Sequence, residues 1–189
     1  MRPTRFINLA LVLWAICAPL AVAAESGAEW WRKAVVYEVY PRSFADSNGD
    51  GIGDLNGITS HLDYLKDLGV DAIWITPFYP SPQVDFGYDI SNYHAIDPQY
   101  GTLADFDRLL EEAKKRDIRV VLDMVLNHTS DQHPWFLESK SSRDNPKAEW
   151  YMWHDGKDHQ PPNNWQSIFG HSAWQWTPER GEFLLSCVL

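Results

Sequence analysis

Residues 70–76, which read VDAIWIT, form a short apolar run that stops at Pro77. A run of this length, enriched in β-branched and aromatic residues, is typical of a buried strand. Two more runs of this kind occupy residues 34–40 (AVVYEVY) and 118–126 (IRVVLDMVL). The sequence therefore predicts three strands, and each is separated from the next by a longer stretch of chain.

The segments between the predicted strands carry the apolar spacing of helices. In the first segment, apolar residues recur three and four positions apart until Gly69, and in the second, Thr102 and Asp105 form a capping box at the start. The apolar positions are Leu55, Ile58, Leu62, Leu65 and Leu68 in the first segment and Leu103, Phe106, Leu109, Leu110 and Ala113 in the second. Strands that alternate with helices predict a parallel sheet, either doubly wound or closed into a (β/α)8 barrel.

Polar side chains follow each predicted strand at its carboxyl end. Residues 46–54 follow the first strand, residues 83–93 follow the second, and Asn127 and His128 follow the third. The active site of a (β/α)8 barrel lies at this end of its strands, whereas dinucleotide binding would require a Gly-x-Gly-x-x-Gly pattern that the first strand lacks. We therefore interpret the fold as α/β, with the first three strands of a (β/α)8 (TIM) barrel in residues 25–128.

Residues 129–189 have a different character from the strand and helix region. They hold six of the ten tryptophans but few periodic apolar runs, and Pro161 to Asn164 marks a loop within them. We interpret this part as the incomplete start of an irregular domain inserted after the third strand.

The first 24 residues predict a secretory signal peptide. Arg2 and Arg5 precede an apolar run at residues 6–18, and Ala21 to Ala23 supplies a small-x-small cleavage pattern. The apolar run is too short to span a bilayer comfortably, so we expect no stable membrane insertion after cleavage and a secreted or periplasmic protein. Cleavage leaves Cys187 as the single cysteine, which excludes an internal disulfide framework.

The charge balance argues against nucleic-acid binding. The chain of 189 residues carries 16 Lys and Arg against 26 Asp and Glu, a formal net charge of −10, without a long basic run. Capture of a phosphate backbone needs a concentrated positive surface. Aromatic residues make up 14% of the chain, and their flat faces suit sugar rings as well as protein cores.

The segment at residues 46–54 has the composition of a cation-binding loop. Its expected ligands are Asp46, Asn48, Asp50, the carbonyl of Ile52, and Asp54. Alternating oxygen donors around Gly51 suit a hard cation, and the number of oxygens and the flexible geometry favour calcium over magnesium. The segment is not an EF-hand, because Gly57 stands where a bidentate glutamate belongs. The alternative is an acidic, solvated turn.

Two further segments suggest sugar binding. Tyr88 and Asp89 are adjacent after the second strand, and an aromatic ring can cover the apolar face of a pyranose while a carboxylate accepts its hydroxyl hydrogens. Such a pair also commonly anchors a loop. Asp123 is placed by the pattern inside the third apolar strand, where a carboxylate must be paired, and His128 follows at the mouth of that strand.

At these residues the sequence resembles glycoside hydrolase family 13, the α-amylase family, and most of all its α-glucosidase and oligo-1,6-glucosidase members. The similar stretches are VYEVYPRSFADSNGDGIGDLNGI (36–58), GVDAIWITPFYPSP (69–82), GYDISNY (87–93), VVLDMVLNHTSDQHPWF (120–136), SRDNPKAEWYMW (142–153) and PPNNWQSIFGHSAWQW (161–176). The resemblance implies a (β/α)8 barrel with a domain inserted after the third strand, a structural calcium ion at the 46–54 loop, and an α-glucoside oligosaccharide as substrate.

The resemblance also implies roles for single residues. Tyr88 would stack on the glucose at the cleavage position, Asp89 would bind its hydroxyls, and His128 would bind its 6-hydroxyl. Asp123 would support the site without touching the sugar, and Asn127 would have a structural role.

The family hydrolyses α-glucosidic bonds with retention, through an Asp nucleophile and a Glu acid/base that lie beyond the fourth and fifth strands. No segment of this chain matches those motifs, and the resemblance fades in FLLSCVL at residues 183–189. We therefore expect the chain to be the N-terminal portion of an exported α-glucosidase and to be inactive alone. Its origin would be a fragment, a frameshift or an early stop. The alternatives are a truncated trehalose synthase or sucrose-isomerase-like member, or a non-catalytic sugar- or calcium-binding remnant.

Overall fold

The computed structural model of the protein describes residues 27–158 and 160–186. The predicted signal peptide at residues 1–24 lies outside these ranges, and so does Cys187. The described residues up to Ala34 form a unit of their own, in which Gly27–Arg32 is a 3-10 helix. The other described residues belong to a second unit that starts at Val35.

Three short parallel strands form the central sheet of the second unit. They are β1 (Val36–Val39), β2 (Ala72–Ile75) and β3 (Arg119–Leu122), in the order β1-β2-β3. The parallel pairing confirms the predicted strand–helix alternation. Each strand is shorter than its apolar run, and β3 ends at Leu122. The prediction that Asp123 lies inside the strand is therefore wrong: it is the first residue after β3 and is half-buried, although its amide still bonds to the Ile75 carbonyl at 3.2 Å.

Five α-helices surround or follow this sheet. They are α1 (Pro41–Phe44), α2 (Leu55–Ser60), α3 (Leu62–Asp67), α4 (Leu103–Lys115) and α5 (Pro134–Ser141), among the described residues. The first predicted helix is thus two helices that meet at His61. Leu68, the last position of the predicted helical face, follows the end of α3 and is 56% exposed. The capping box of Thr102 and Asp105 is confirmed at the start of α4.

The core fills one face of the parallel sheet. Side chains from β1 and β2, such as Val39, Ile73 and Ile75, pack with Leu55 and Leu109 from the helices, and these five are fully buried. On the other face, Val36 and Val121 remain 48% and 39% exposed. Parallel sheets normally have both faces covered. Within the described residues, the face opposite the helices is covered only in part, at Ala72, which is fully buried.

A second, antiparallel sheet follows residue 150. Its strands β4 (Trp153–His154), β5 (Trp174–Thr177) and β6 (Glu182–Leu185) have the order β4-β6-β5. The central strand β6 overlaps the segment at residues 183–189 in which the family resemblance fades. The region interpreted as irregular therefore contains a regular small sheet, while the proposed boundary at residue 128 stays a prediction. None of the helices in the described ranges has the length and apolar character needed to cross a membrane.

A buried arginine joins α5 to this second sheet. Arg180 is 7% exposed, pairs with Glu182 at 2.7 Å, and donates to the Ser139 carbonyl at 2.5 Å. Its guanidinium lies 4.4 Å from the centre of the Trp153 ring, whose indole N–H donates to Ser139 Oγ at 2.9 Å. These contacts fix the antiparallel sheet against the helix that follows β3.

Candidate active site

The candidate site lies where the loops after β2 and β3 meet. The Tyr88 hydroxyl donates to Asp123 Oδ2 at 2.9 Å, and His128 Nε2 lies 3.1 Å from the Tyr88 carbonyl oxygen. A carbonyl oxygen only accepts, so His128 Nε2 carries the proton in this contact. Tyr88 is therefore in one hydrogen-bonded cluster with two other predicted site residues, Asp123 and His128, which are 35 and 40 positions further along the chain.

Tyr88 lies at this site as a protonated phenol with an apolar ring. Burial, followed by the hydrogen bond to Asp123, raises the pKa of Tyr88 to about 12, and the negative charges of Asp123, Glu38 and Asp85 add to the increase. The phenol therefore stays protonated at any physiological pH. Its ring is half-buried, so one part of the aromatic surface remains available to a ligand.

Asp89 points into its own loop. Its side chain is only 3% exposed, and its carboxylate accepts from Ser81 Oγ at 2.7 Å, from the Val84 amide at 2.9 Å and from the Asp85 amide at 3.2 Å. The loop needs such support because Gln83 and Phe86 adopt the left-handed region, at φ 63° and 51°. The structure thus gives Asp89 a loop-stabilising role, and the prediction that it also binds a sugar stays untested.

Asp85 is a site residue to which the sequence analysis gave no role. Its side chain is half-buried, and no described residue donates a hydrogen bond to its carboxylate. Burial raises the pKa of Asp85, the charge of Asp89 raises it further, and nearby His128 opposes the increase. An unoccupied carboxylate beside Tyr88 and His128 is suited to accept hydroxyl hydrogens. The two aspartates are four residues apart, but Asp89 is buried and hydrogen-bonded within the loop, whereas Asp85 is half-buried.

Asn127 is exposed and stands beside the histidine. Its Nδ2 lies 3.4 Å from His128 Nδ1. An amide nitrogen only donates, so Asn127 donates and Nδ1 accepts in this contact. The structural role expected of Asn127 stays a prediction.

The 46–54 loop folds through successive side-chain bonds to backbone amides. Asp46 accepts from the amides of Asn48, Gly49 and Gly51 at 3.0, 2.7 and 2.8 Å. The same turn repeats further along, since Asp50 accepts from the Ile52 amide at 2.8 Å. The Gly51 amide, followed by that of Gly49, lowers the pKa of Asp46. The loop therefore presents exposed oxygens, with an ionised Asp46, on a backbone folded into successive tight turns.

The donor set of this loop fits a hard cation only in part. Asp46, Asn48, Asp50 and the Ile52 carbonyl all supply oxygen, as calcium prefers. Asp54 instead caps α2: it is 4% exposed and accepts from the Ser47 amide and hydroxyl and from the Gly57 amide. Within the described residues, no three His, Cys, Asp or Glu side chains converge as a metal site. A cation here would therefore depend on the amide and carbonyl oxygens as well, and calcium stays a prediction.

Comparison with known proteins finds close relatives of the chain. The sequence pattern "Alpha amylase, catalytic domain" matches residues 38–189. A probable alpha-glucosidase of Rhizobium meliloti is 61% identical over 162 residues, which are 85% of this chain and 29% of the relative. An oligo-1,6-glucosidase of Parageobacillus thermoglucosidasius is 56% identical over 82% of this chain and 28% of its own length.

The solved structures include a variant of MutB in complex with the substrate sucrose. It superposes with a TM-score of 0.83 and 56% identity, over 86% of this chain and 29% of that one. The chain thus spans less than a third of the length of these relatives. With the matched pattern, the three parallel strands and the close relatives together, the chain belongs to the α-amylase family, glycoside hydrolase family 13, and its parallel sheet is part of that family's (β/α)8 barrel.

Proposed function

We propose that this chain is the N-terminal portion of an exported α-glucosidase-type hydrolase. The reaction would be retaining hydrolysis of α-glucosidic bonds in maltose- or isomaltose-type oligosaccharides. The observation that carries the proposal is the cluster of Tyr88, Asp123 and His128 at the carboxyl ends of β2 and β3. It combines an aromatic surface with hydrogen-bonding groups, in a chain whose relatives include an alpha-glucosidase and an oligo-1,6-glucosidase.

In this proposal the described residues recognise the sugar and do not break the bond. Tyr88 stacks on one face of a glucose ring while His128 binds its 6-hydroxyl. Asp89 was predicted to bind the hydroxyls, and Asp85 is placed to share that task. Retention requires two carboxyl groups about 5 Å apart across the scissile bond. We assign that pair to a part of the barrel that this chain does not supply, so the chain alone is expected to be inactive.

A second candidate reaction is isomerisation of sucrose. The MutB variant in complex with the substrate sucrose is as similar to this chain as the oligo-1,6-glucosidase is, at 56% identity in both cases. Trehalose synthase-like chemistry and a non-catalytic sugar- or calcium-binding remnant remain alternatives. The product of the reaction distinguishes them: hydrolysis of sucrose releases free glucose, whereas isomerisation retains a disaccharide.

The test is a hybrid enzyme, in which the aligned part of this chain replaces the corresponding part of the Rhizobium meliloti relative. We expect the hybrid to hydrolyse p-nitrophenyl α-glucoside and maltose, and His128→Ala to lower kcat/KM at least about 100-fold, which is about 3 kcal/mol of transition-state stabilisation. Chromatography of the sucrose products decides between hydrolysis and isomerisation. A folded hybrid that turns over none of these substrates would overturn the proposal.

Two accompanying proposals concern export and calcium. The N-terminal pattern at residues 1–24 supports secretion or transfer to the periplasm, where calcium is accessible. The 46–54 loop would hold a structural calcium ion through Asp46, Asn48, Asp50 and the Ile52 carbonyl. Asp54, which caps α2, would link the loop to that helix.

A further inference from the structure

We propose that Tyr93 is a positioning residue, whose hydroxyl fixes the loop after β3 so that the His128 ring is held against the loop after β2. The inference that this arrangement serves sugar binding rests on the proposed function. The positioning itself is a statement about this chain and can be measured without a substrate.

The Tyr93 hydroxyl lies between two carbonyl oxygens of the same loop. Its oxygen is 2.7 Å from the Val125 carbonyl and 2.9 Å from the His128 carbonyl. A phenol has one proton, which can be shared between two acceptors at these distances. Both acceptors lie in the short segment between β3 and α5, so one side chain from the β2 loop holds the segment at both of these points.

The position of that segment determines which hydrogen bonds the His128 ring forms, and so which tautomer it adopts. The ring donates through Nε2 to the Tyr88 carbonyl at 3.1 Å. This contact defines the tautomer, because it leaves Nδ1 free to accept from Asn127. If the backbone at His128 moves, Nε2 loses its acceptor and the ring is free to exchange tautomers. The Tyr93 hydroxyl therefore acts on the ring through the backbone, without touching it.

Tyr93 is itself held as a donor in a fixed place. Its ring packs between Tyr79, at 6.1 Å between centroids, and His133, at 5.7 Å. Burial, followed by the neighbouring phenols of Tyr151 and Tyr79, raises the pKa of Tyr93. The hydroxyl thus stays protonated, as donation to a carbonyl requires.

The test compares Tyr93→Phe with Tyr79→Phe in the full chain. Each substitution removes one hydroxyl from one of two tyrosines whose rings are in contact, but only Tyr93 bonds to the loop. The measurements are the His128 tautomer by ¹⁵N NMR, with the signal assigned from a His128→Gln spectrum, and hydrogen exchange of residues 123–130 by mass spectrometry.

We expect Tyr93→Phe to convert the single Nε2–H tautomer of His128 into a mixture and to accelerate exchange of the loop about fivefold, as expected for loss of one hydrogen bond. Tyr79→Phe should leave both unchanged. An unaltered tautomer in Tyr93→Phe, or the same change in both variants, would overturn the inference. In the hybrid enzyme, Tyr93→Phe should lower kcat/KM about fivefold relative to Tyr79→Phe. An inactive hybrid would count against the proposed function only, because the tautomer measurement decides the positioning independently.

Discussion

We expect replacement of Asp89 to lower the free energy of unfolding of the chain. Its carboxylate accepts three hydrogen bonds while it is 3% exposed, from Ser81 Oγ and from the amides of Val84 and Asp85. Asp89→Ala leaves those donors without their acceptor in a loop that holds two residues in the left-handed region. At about 1 kcal/mol for each bond, the loss is about 3 kcal/mol. That is a large part of the 5–15 kcal/mol that typically separates folded and unfolded states.

Asp85→Ala is the matched control, because it also removes a carboxylate from this loop. No described residue donates a hydrogen bond to the Asp85 carboxylate. We expect a stability change below about 0.5 kcal/mol, as for a substitution that breaks no contact. Asp89→Asn should fall between the two at about 1–2 kcal/mol, since one amide oxygen keeps part of the acceptor function. In the hybrid enzyme, Asp85→Ala should lower kcat/KM by about 100-fold without loss of the folded state.

The assay is urea unfolding of the full chain, followed by circular dichroism, with hydrogen exchange of residues 81–89 as the local readout. Asp89→Ala should shift the midpoint to lower urea with an unchanged slope. Equal unfolding free energies for the native chain and Asp89→Ala would refute the loop role. Destabilisation by Asp85→Ala instead of Asp89→Ala would show that the two carboxylates have been assigned the wrong way round.

Three shorter predictions test other parts of the structure. His133 caps α5 by accepting from the Trp135 amide at 3.1 Å, and burial, with some contribution from His94, lowers its pKa. The stabilisation that His133 contributes should therefore be complete above about pH 6.5 and decrease as the pH falls through the lowered pKa. In His133→Asn this pH-dependent part should be absent. If the free energies of unfolding of the two chains, measured with urea, change in parallel with pH, the prediction is wrong. Calcium should raise the melting temperature and a chelator should reverse this, with Asp50→Asn insensitive to both; identical melting curves with and without calcium would contradict the cation site. Gly57→Ala should prevent folding, because a Cβ there would lie 1.9 Å from the Ala45 carbonyl oxygen; a native circular-dichroism spectrum would count against the close packing at this point.

Sequence patterns within short segments correctly predicted the strands and the helix start that depend on neighbouring residues. The three apolar runs became the three parallel strands, and the Thr102 and Asp105 pair fixed the first turn of α4, since a capping box needs only neighbouring residues. The break between α2 and α3 was missed because apolar residues continue in register across it. His61 Nδ1 and Ser60 Oγ both donate to the Gly57 carbonyl at 2.8 Å, and such bonds compete with the helical ladder.

Contacts between distant residues explain what the sequence pattern missed at the site. Asp85 and Asp89 are equivalent by spacing, and they differ because the loop folds back onto one carboxylate and leaves the other open. Tyr93 is separated from the His128 carbonyl by 35 positions, so no periodicity connects them. Asp123 was placed inside a strand because the apolar run continues to residue 126, whereas β3 ends at Leu122.

The two loops of the candidate site are bonded to each other at several points within this chain. Tyr88 donates to Asp123, His128 donates to the Tyr88 carbonyl, and Tyr93 donates to the loop after β3. The amide of Ser130 also donates to the Ile90 carbonyl at 2.9 Å. A group held by bonds in two loops loses little conformational freedom when a ligand arrives, which favours binding. The sugar-recognition part of the proposed site is therefore preorganised by β2, β3 and their loops alone, and it does not depend on the carboxyl pair that would break the bond.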